Sequence, residues 1–324
     1  MIIDFHTHIF PDKLAGKVID KLSDSAGIKY YTEATAASLC ESMKLAGIDL
    51  SVVLPVVTKA PQYKTINETA KQLNDIYAES VEKLLKLRLD EAGSFHAESP
   101  ALLSFGGIHP ENENYREILK DLANSGIKGV KLHPLYQEKD IDDISFLRII
   151  DCACELGLIV LIHAGRDLSF PGDHCTPAMI RHMLDEIKPR KMVLAHMGSY
   201  AYWDGVEEQL CGLGAYLDTS FSVIPIRSKA SMHGDEQTAG PLAGTDGEES
   251  HSHDIPQVSA NISAPLSRAQ FRRIVAKNGA DRILFASDSP WGDQRETFDI
   301  VNSYLDARDK DAVFFRNALN LLKS

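Results

Sequence analysis

Short apolar runs alternate with longer amphipathic stretches along this chain. Continuous runs of apolar and β-branched residues, each followed by polar, loop-forming residues, are typical of strands that are buried on both faces of a parallel sheet. Eight such runs predict strands at Ile2–Phe5, Leu50–Val57, Leu102–Ile108, Gly129–Leu132, Leu158–Ile162, Met192–Ala195, Ala215–Leu217 and Ile283–Ala286.

The stretches between these runs carry apolar residues at three- and four-residue spacing, which predicts amphipathic helices. They lie at Glu68–Leu89, Tyr115–Ala123, Ile144–Leu156, Pro177–Ile187, Arg268–Lys277 and Glu296–Tyr304. Eight strands alternating with helices predict a (β/α)8 barrel of the TIM type, with an open doubly wound sheet as the alternative. The polar residues at the strand ends, described below, favour the barrel.

One segment, Ile226–Leu266, interrupts this alternation. It is rich in Gly, Ser, Ala, Pro and acidic residues and shows no apolar periodicity. A loop of this length is either functional or disordered, so the segment is either a lid over the active site or a passive insertion. We therefore expect a single barrel domain over residues 1–324 with a low-complexity insertion at about 226–266. The insertion contains His233, His251 and His253, and we interpret the His251-Ser252-His253 run as solvated or, at most, as an adventitious metal binder.

Composition narrows the classes of function. The 324 residues contain 34 Lys and Arg against 46 Asp and Glu, a net charge of −12, which argues against a nucleic-acid partner. A hydrophobic share of 44% excludes global disorder, and no apolar run approaches the ~20 residues of a membrane span. The five cysteines form no CxxC pair and no signal peptide is evident, so we expect a cytoplasmic protein. The expected partner is a small-molecule substrate, and a homodimer is a further expectation.

Histidine and aspartate follow most of the predicted strands. In a (β/α)8 barrel the carboxyl ends of the strands carry the chemistry. His6 and His8 are two residues apart on a strand, so both imidazoles project from the same face, at a spacing that suits a divalent metal. His163, His196 and Asp288 follow three other strands. Imidazole and carboxylate ligands together favour zinc, with manganese, iron or cobalt as alternatives.

Asp288 has two compatible roles in such a site. Its carboxylate can ligate the metal, and it can accept a proton from a water whose pKa the metal lowers. The alternative is a helix N-cap, because Ser289 and Pro290 suit the start of a helix.

Four motifs, in this order along the chain, resemble the amidohydrolase superfamily: His6-Thr7-His8, His163-Ala164-Gly165, His196-Met197-Gly198 and Ser287-Asp288-Ser289-Pro290-Trp291. The resemblance is to the amidohydrolase-related group known as amidohydrolase family 2, which contains hydrolases and non-oxidative decarboxylases of aromatic or unsaturated carboxylic acids. It implies a barrel with a divalent metal at its mouth, held by His6, His8, His163 and Asp288. It also implies that His196 either orients and protonates the substrate or binds a second metal.

Other residues near the strand ends have more than one interpretation. Binuclear relatives carry a carboxylated lysine on the fourth strand, so Lys131 is a bridging carbamate, an anchor for a substrate carboxylate, or a lysine at the edge of the core. His109 and His133 either line the pocket or are structural. Arg166 is a candidate partner for a substrate carboxylate, and Tyr136 and Trp291 are candidates for shaping the pocket. The alternatives for these three are a surface ion pair and loop packing.

The resemblance implies a metal-dependent hydrolase that cleaves an amide, ester or lactone of a small molecule with a metal-activated water and Asp288 as the base. A decarboxylase with the same ligands is the first alternative. A TatD-like nuclease is the second, because it shares the HxH motif and the Gly107-Ile108-His109-Pro110 segment. Lys131, where those nucleases carry glutamate, and the acidic charge both disfavour the nuclease.

Overall fold

The computed structural model describes residues 1–170, 172–229 and 264–324. His233, His251 and His253 lie outside these described residues. The strands are β1 (Ile3–Thr7), β2 (Leu50–Val53), β3 (Ala101–Ser104), β4 (Gly106–Gly107), β5 (Gly129–Leu132), β6 (Ile159–Ile162), β7 (Met192–Leu194), β8 (Tyr216–Asp218) and β9 (Ile283–Leu284).

The helices alternate with the strands. They are α1 (Asp12–Ala26), α2 (Ala36–Ala46), α3 (Tyr63–Lys86), α4 (Leu89–Ala92), α5 (Tyr115–Asn124), α6 (Ile144–Glu155), α7 (Pro177–Ile187), α8 (Trp203–Gln209), α9 (Arg268–Asn278), α10 (Gln294–Tyr304) and α11 (Asn317–Lys323). Among the described residues, no helix combines the length and the apolar character that crossing a bilayer requires.

The strands pair in parallel in two sets, β1-β2-β3 and β4-β5-β6-β7-β8-β9. Only Phe105 separates β3 from β4, so these two short strands together form one of the eight strands of the barrel. This strand pairs with β2 on one side and with β5 on the other. On the opposite side, the N–H of Phe5 donates to the carbonyl of Phe285 and the N–H of Asp288 donates to the carbonyl of His6, both at 2.9 Å. These bonds join the two sets into a ring, and the predicted (β/α)8 barrel is confirmed.

Alternate residues of the strands face two apolar layers. Ile3, Leu161 and Leu284 belong to the layer inside the barrel, together with Leu319 and Leu322 of α11, which closes the amino-terminal end. Their neighbours along the strands pack outward against the surrounding helices, as Val160, Ile162 and Ile283 do. Because the inner layer fills the barrel, polar side chains that face inward are confined to the carboxyl ends of the strands.

Helices α1, α2, α8 and α11, and all of α4 except Leu89, lie outside the predicted helices. The buried face of α1 consists largely of small residues, Ala15, Ser23 and Ala26, with only Ile19 as a large apolar residue. Helix α3 begins at Tyr63, before the predicted start at Glu68.

Strand β1 is irregular where it carries the HxH motif. Its pairing with β2 shifts register between Asp4 and Thr7. Phe5 packs inside the barrel, edge-on to Phe105, and the next residue, His6, also faces the interior, where it meets Asp218. A bulge of this kind re-aims side chains, and it allows two consecutive residues to face the same side. Asp4 is left facing outward, against Ser287 and Gln294.

Candidate active site

His6, His8 and Asp288 lie together at the carboxyl end of the barrel. The Nε2 atoms of the two histidines are 3.1 Å apart. Oδ1 of Asp288 lies 3.3 Å from Nε2 of His6 and 3.2 Å from Nε2 of His8. Two ligands of a tetrahedral zinc, each ~2.0–2.1 Å from the ion, are about 3.3 Å apart. The three donor atoms therefore have the spacing of three corners of a metal tetrahedron.

The other ring nitrogen of each histidine shows which nitrogen is free to bind a metal. Nδ1 of His8 donates to the carbonyl of Leu54 at 2.8 Å, and Nδ1 of His6 donates to Oδ2 of Asp218 at 2.9 Å. Each Nε2 is then an acceptor without a proton, and the two acceptors face each other and a carboxylate oxygen. Three acceptors in contact repel one another unless a cation lies among them, so these residues fit a divalent metal.

His163 and His196 form a second pair of facing acceptors. Nε2 of His163 donates to the carbonyl of Arg166 at 3.1 Å, and Nδ1 of His196 donates to the carbonyl of Ser220 at 3.0 Å. The nitrogens that remain, Nδ1 of His163 and Nε2 of His196, are 3.0 Å apart. The structure thus places His163 beside His196, and this pair also fits a cation or a shared proton.

A close approach of two loops sets the position of this second pair. The backbone after β6 and the backbone after β7 meet at Gly165 and Tyr200, where Tyr200 N–H donates to Ala164 at 2.8 Å. Gly165 has φ +91°, and a Cβ there would lie 2.2 Å from the backbone nitrogen of Tyr200. Only glycine fits this crossing.

Asp218 and Ser220 connect the two pairs of histidines. Asp218, at the end of β8, is fully buried. Its Oδ1 accepts the N–H of His196 at 3.0 Å and the N–H of Ser220 at 3.1 Å, while its Oδ2 holds His6. The hydroxyl of Ser220 lies between Nδ1 of His6 and Nδ1 of His196, at 3.1 and 3.0 Å. This unit orients both rings.

Lys131, on β5, is a buried amine at the metal-donor group. Its Nζ lies 3.2 Å from Nε2 of His6. Burial lowers the pKa of Lys131 to about 8, against the attraction of Asp288 and Asp218. A substantial share of this side chain is therefore neutral in weakly alkaline solution.

Burial and charge determine the protonation of the remaining groups. Burial holds the pKa values of His6, His133 and His163 well below the ordinary value for histidine, so these rings are neutral. Burial opposes ionisation of Asp288, but the proximity of the His6 and His8 rings keeps its pKa below the ordinary value. At neutral pH these three neutral imidazoles therefore accompany an ionised Asp288.

Three of the predicted pocket residues have other partners. Nε of Arg166 donates to the hydroxyl of Tyr202 at 2.8 Å and lies 3.7 Å from Asp173. The side chain of Trp291 is half-buried against the outer apolar layer, and the backbone N–H of Trp291 donates to the carbonyl of Asp288 at 2.8 Å. Tyr136 stacks on the ring of His133 at 3.9 Å. The side chain of Arg166 therefore engages loop groups and that of Trp291 packs against the outer apolar layer, whereas Tyr136 and His133 stack at the end of β5.

Sequence reasoning missed the roles of Asp218, Ser220 and Asp167. Asp218 and Ser220 follow a predicted strand, but that position alone does not separate a metal ligand from a residue that orients one. Asp167 lies in the loop after β6, where Oδ2 is 3.8 Å from Nε2 of His133. Burial raises the pKa of Asp167 to about 6. No signal in the sequence distinguishes it from other loop aspartates.

Known proteins resemble this chain in family and in fold. The family model described as amidohydrolase (Amidohydro_2) matches residues 3–323. No curated protein matches the chain. Among solved structures, 2,6-dihydroxybenzoate decarboxylase from Rhizobium is similar with a TM-score of 0.58 and 15% identity, covering 99% of this chain and 98% of that one.

Two further structures share the fold. An uncharacterised TIM-barrel protein from Bordetella bronchiseptica has a TM-score of 0.64 and 14% identity, covering 99% of this chain and 98% of that one. A protein from Pseudomonas putida, to which 2-pyrone-4,6-dicarboxylic acid hydrolase activity has been attributed, has a TM-score of 0.52 and 14% identity, covering 99% and 97%. At these identities the structures show a shared fold, whereas the family match spans nearly the whole chain. The chain therefore belongs to the amidohydrolase family.

Proposed function

We propose that this protein is a metal-dependent hydrolase that cleaves an amide, ester or lactone bond of a small molecule. One observation carries the proposal: Nε2 of His6, Nε2 of His8 and Oδ1 of Asp288 are acceptors within 3.3 Å of one another, at the spacing of metal ligands. The hydrogen bonds of both Nδ1 atoms direct these lone pairs to one point. His163 is the proposed fourth ligand, through Nδ1.

A divalent cation, with zinc as the first choice, would supply Lewis acidity and lower the pKa of water at this point. The residues of the chain supply the rest. Asp288 is ionised and lies among the donor atoms, so it accepts a proton from the attacking water. Nε2 of His196 lies 3.0 Å from Nδ1 of His163, the proposed fourth ligand, and is the group that we assign to orient a carbonyl oxygen and return the proton to the leaving group.

Decarboxylation of a carboxylic acid is the second candidate, and Lys131 favours it. This amine lies 3.2 Å from Nε2 of His6, so its protonated form would attract a substrate carboxylate to the metal-donor group. The two reactions use the same residues and differ in the bond that breaks.

Metal analysis combined with a substrate panel tests the proposal. We expect about one equivalent of divalent metal per chain in protein purified without chelator. His6→Ala should lose the metal, whereas His96→Ala, which alters an exposed histidine outside the site, should keep it. Protein without stoichiometric metal would refute the proposal.

The panel should contain amides, esters, lactones and aromatic acids, with released carbon dioxide monitored. Hydrolysis of a substrate without release of carbon dioxide supports the hydrolase, and release of carbon dioxide supports the decarboxylase. Asp288→Asn should retain the fold and abolish turnover in both cases; full activity would remove Asp288 from the mechanism.

A further inference from the structure

His133 and Asp167 lie beside the proposed metal centre and have no role in the reaction proposed above. His133 follows β5, and Asp167 lies in the loop after β6. The ring of His133 stacks on that of His163 at 4.1 Å, with 16° between the planes. The side chains of His133 and Asp167 are 6% and 13% exposed. Both groups are therefore buried at the mouth, next to a proposed metal ligand.

The backbone determines which nitrogen of His133 carries the proton. Nδ1 accepts the N–H of Tyr136 at 3.3 Å, so the proton of the neutral ring is on Nε2. Nε2 lies 3.8 Å from Oδ2 of Asp167, a separation too long for a direct hydrogen bond. His133 thus presents an N–H donor across a gap to a carboxylate.

Asp167 presents an acceptor from the other side of this gap. The backbone holds its carboxylate in place, because Oδ1 accepts the N–H of Ser169 at 2.7 Å. Oδ2 is the oxygen that faces His133. The loop therefore fixes one acceptor, and the ring stack fixes one donor, at a set separation.

We propose that His133 and Asp167 form a subsite that binds a hydroxyl group of the substrate. Nε2 of His133 and Oδ2 of Asp167 are 3.8 Å apart, which is less than the combined length of two hydrogen bonds of ~2.8 Å each. One oxygen atom placed beside the gap can therefore form a hydrogen bond with both groups. A hydroxyl accepts from Nε2–H and donates to Oδ2 at the same time. The inference rests on the proposed function, since it assumes that substrate binds at this mouth.

Other occupants match this pair less well. A carboxylate has no proton to donate to Asp167 and would be repelled by it. An ammonium group cannot accept the proton of His133. Donor atoms of His133, His163 and Asp167 do lie within 4.8 Å of one another, the geometry of a metal site. However, Nδ1 of His133 is occupied by Tyr136, and Nε2 carries the proton, so the ring offers no lone pair to a cation.

Binding of small aromatic acids by the metal-loaded protein tests the subsite. The probes are benzoate and 2-, 3- and 4-hydroxybenzoate, measured by titration calorimetry. We expect at least one hydroxybenzoate to bind about tenfold more tightly than benzoate, the effect of one buried hydrogen bond to a charged group. Asp167→Asn replaces the acceptor with a donor at nearly constant shape, and it should reduce this preference to about twofold or less.

Asp173→Asn is the matched control, because it alters an exposed carboxylate in the same loop that pairs with Arg166. It should keep the full preference, and both variants should keep the native metal content and affinity for benzoate. If no hydroxybenzoate binds more tightly than benzoate, or if Asp167→Asn keeps the preference, the subsite is wrong. Loss of metal from Asp167→Asn would also overturn it, in favour of a metal-binding role.

These failures differ from failure of the proposed function. That function fails on the wild-type protein if stoichiometric metal is absent or if His6→Ala leaves the metal in place. The subsite fails on the comparison of hydroxylated and plain benzoates.

Discussion

Asp218→Asn tests how the chain prepares His6 for a metal. In the native site Oδ2 of Asp218 accepts the proton of Nδ1 of His6, and Oδ1 accepts the N–H groups of His196 and Ser220. An asparagine at this position keeps its oxygen toward the two backbone N–H groups, because its NH2 group would oppose both of them. The NH2 group then faces Nδ1 of His6.

That arrangement reverses the tautomer of His6. Nδ1 becomes the acceptor, and the proton moves to Nε2, the nitrogen that lies 3.1 Å from Nε2 of His8. A hydrogen bond to a charged group is worth ~1.5–3 kcal/mol, and outer-shell partners of this kind contribute 10–100-fold in metal affinity. Because Asp218 is fully buried, solvent does not weaken this bond, and we expect a loss of about 100-fold.

The assay is competition for zinc between the protein and a chromogenic chelator, with the histidine ¹⁵N chemical shifts as a second readout. The variant should shift the His6 proton from Nδ1 to Nε2, which a purely structural defect would not do. Asp142→Asn is the control, because Asp142 also bonds an imidazole, Nδ1 of His182 at 3.0 Å, but on the surface. A folded Asp218→Asn variant with native zinc affinity and the native tautomer would refute the reasoning.

Two further predictions concern stability. Burial raises the pKa of Asp4 from 3.8 to about 6, so the folded state holds this proton more tightly, and the stability it contributes falls as pH rises toward 6. The Asp4→Asn variant lacks this pH dependence. Its unfolding free energy minus that of the wild type should therefore rise by about 1 kcal/mol between about pH 5 and pH 7, measured by urea titration in the presence of a chelator. If the unfolding free energies of the two proteins change in parallel with pH, the raised pKa of Asp4 is wrong. Gly165→Ala should lose at least about 2 kcal/mol in thermal unfolding, because φ is +91° and the new Cβ would lie 2.2 Å from Tyr200 nitrogen. Gly16→Ala is the control, because Gly16 lies in α1 and a Cβ added there would have no atom within 4 Å; this substitution should stabilise the protein slightly. Equal effects of the two substitutions on stability would refute the clash at Gly165.

Much of the fold could be predicted because the strands of this barrel are buried on both faces. Runs such as Leu158–Ile162 are continuous in apolar residues, and this pattern can be recognised without knowing which strands lie on either side. Helix α1 has no continuous apolar run of this kind, since it buries only one face, formed by Ala15, Ile19, Ser23 and Ala26. The bulge in β1 was also beyond prediction, because it depends on the register with β2 and not on local composition.

The sequence by itself determined which residues reach the mouth of the barrel. His6, His8, His163, His196 and Asp288 each follow an apolar run, and parallel strands deliver their carboxyl ends to one edge. Only the tertiary structure decided how these residues are grouped. It brought His6 and His8 to Asp288 and His163 to His196, turned Arg166 toward Asp173, and placed Asp167 opposite His133. Spacing along a regular strand predicts the face of a side chain. A bulge such as the one in β1 depends on pairing with the neighbouring strand, and the tautomer, the partner and the distance depend on atoms far away along the chain, as for His6 and Asp218.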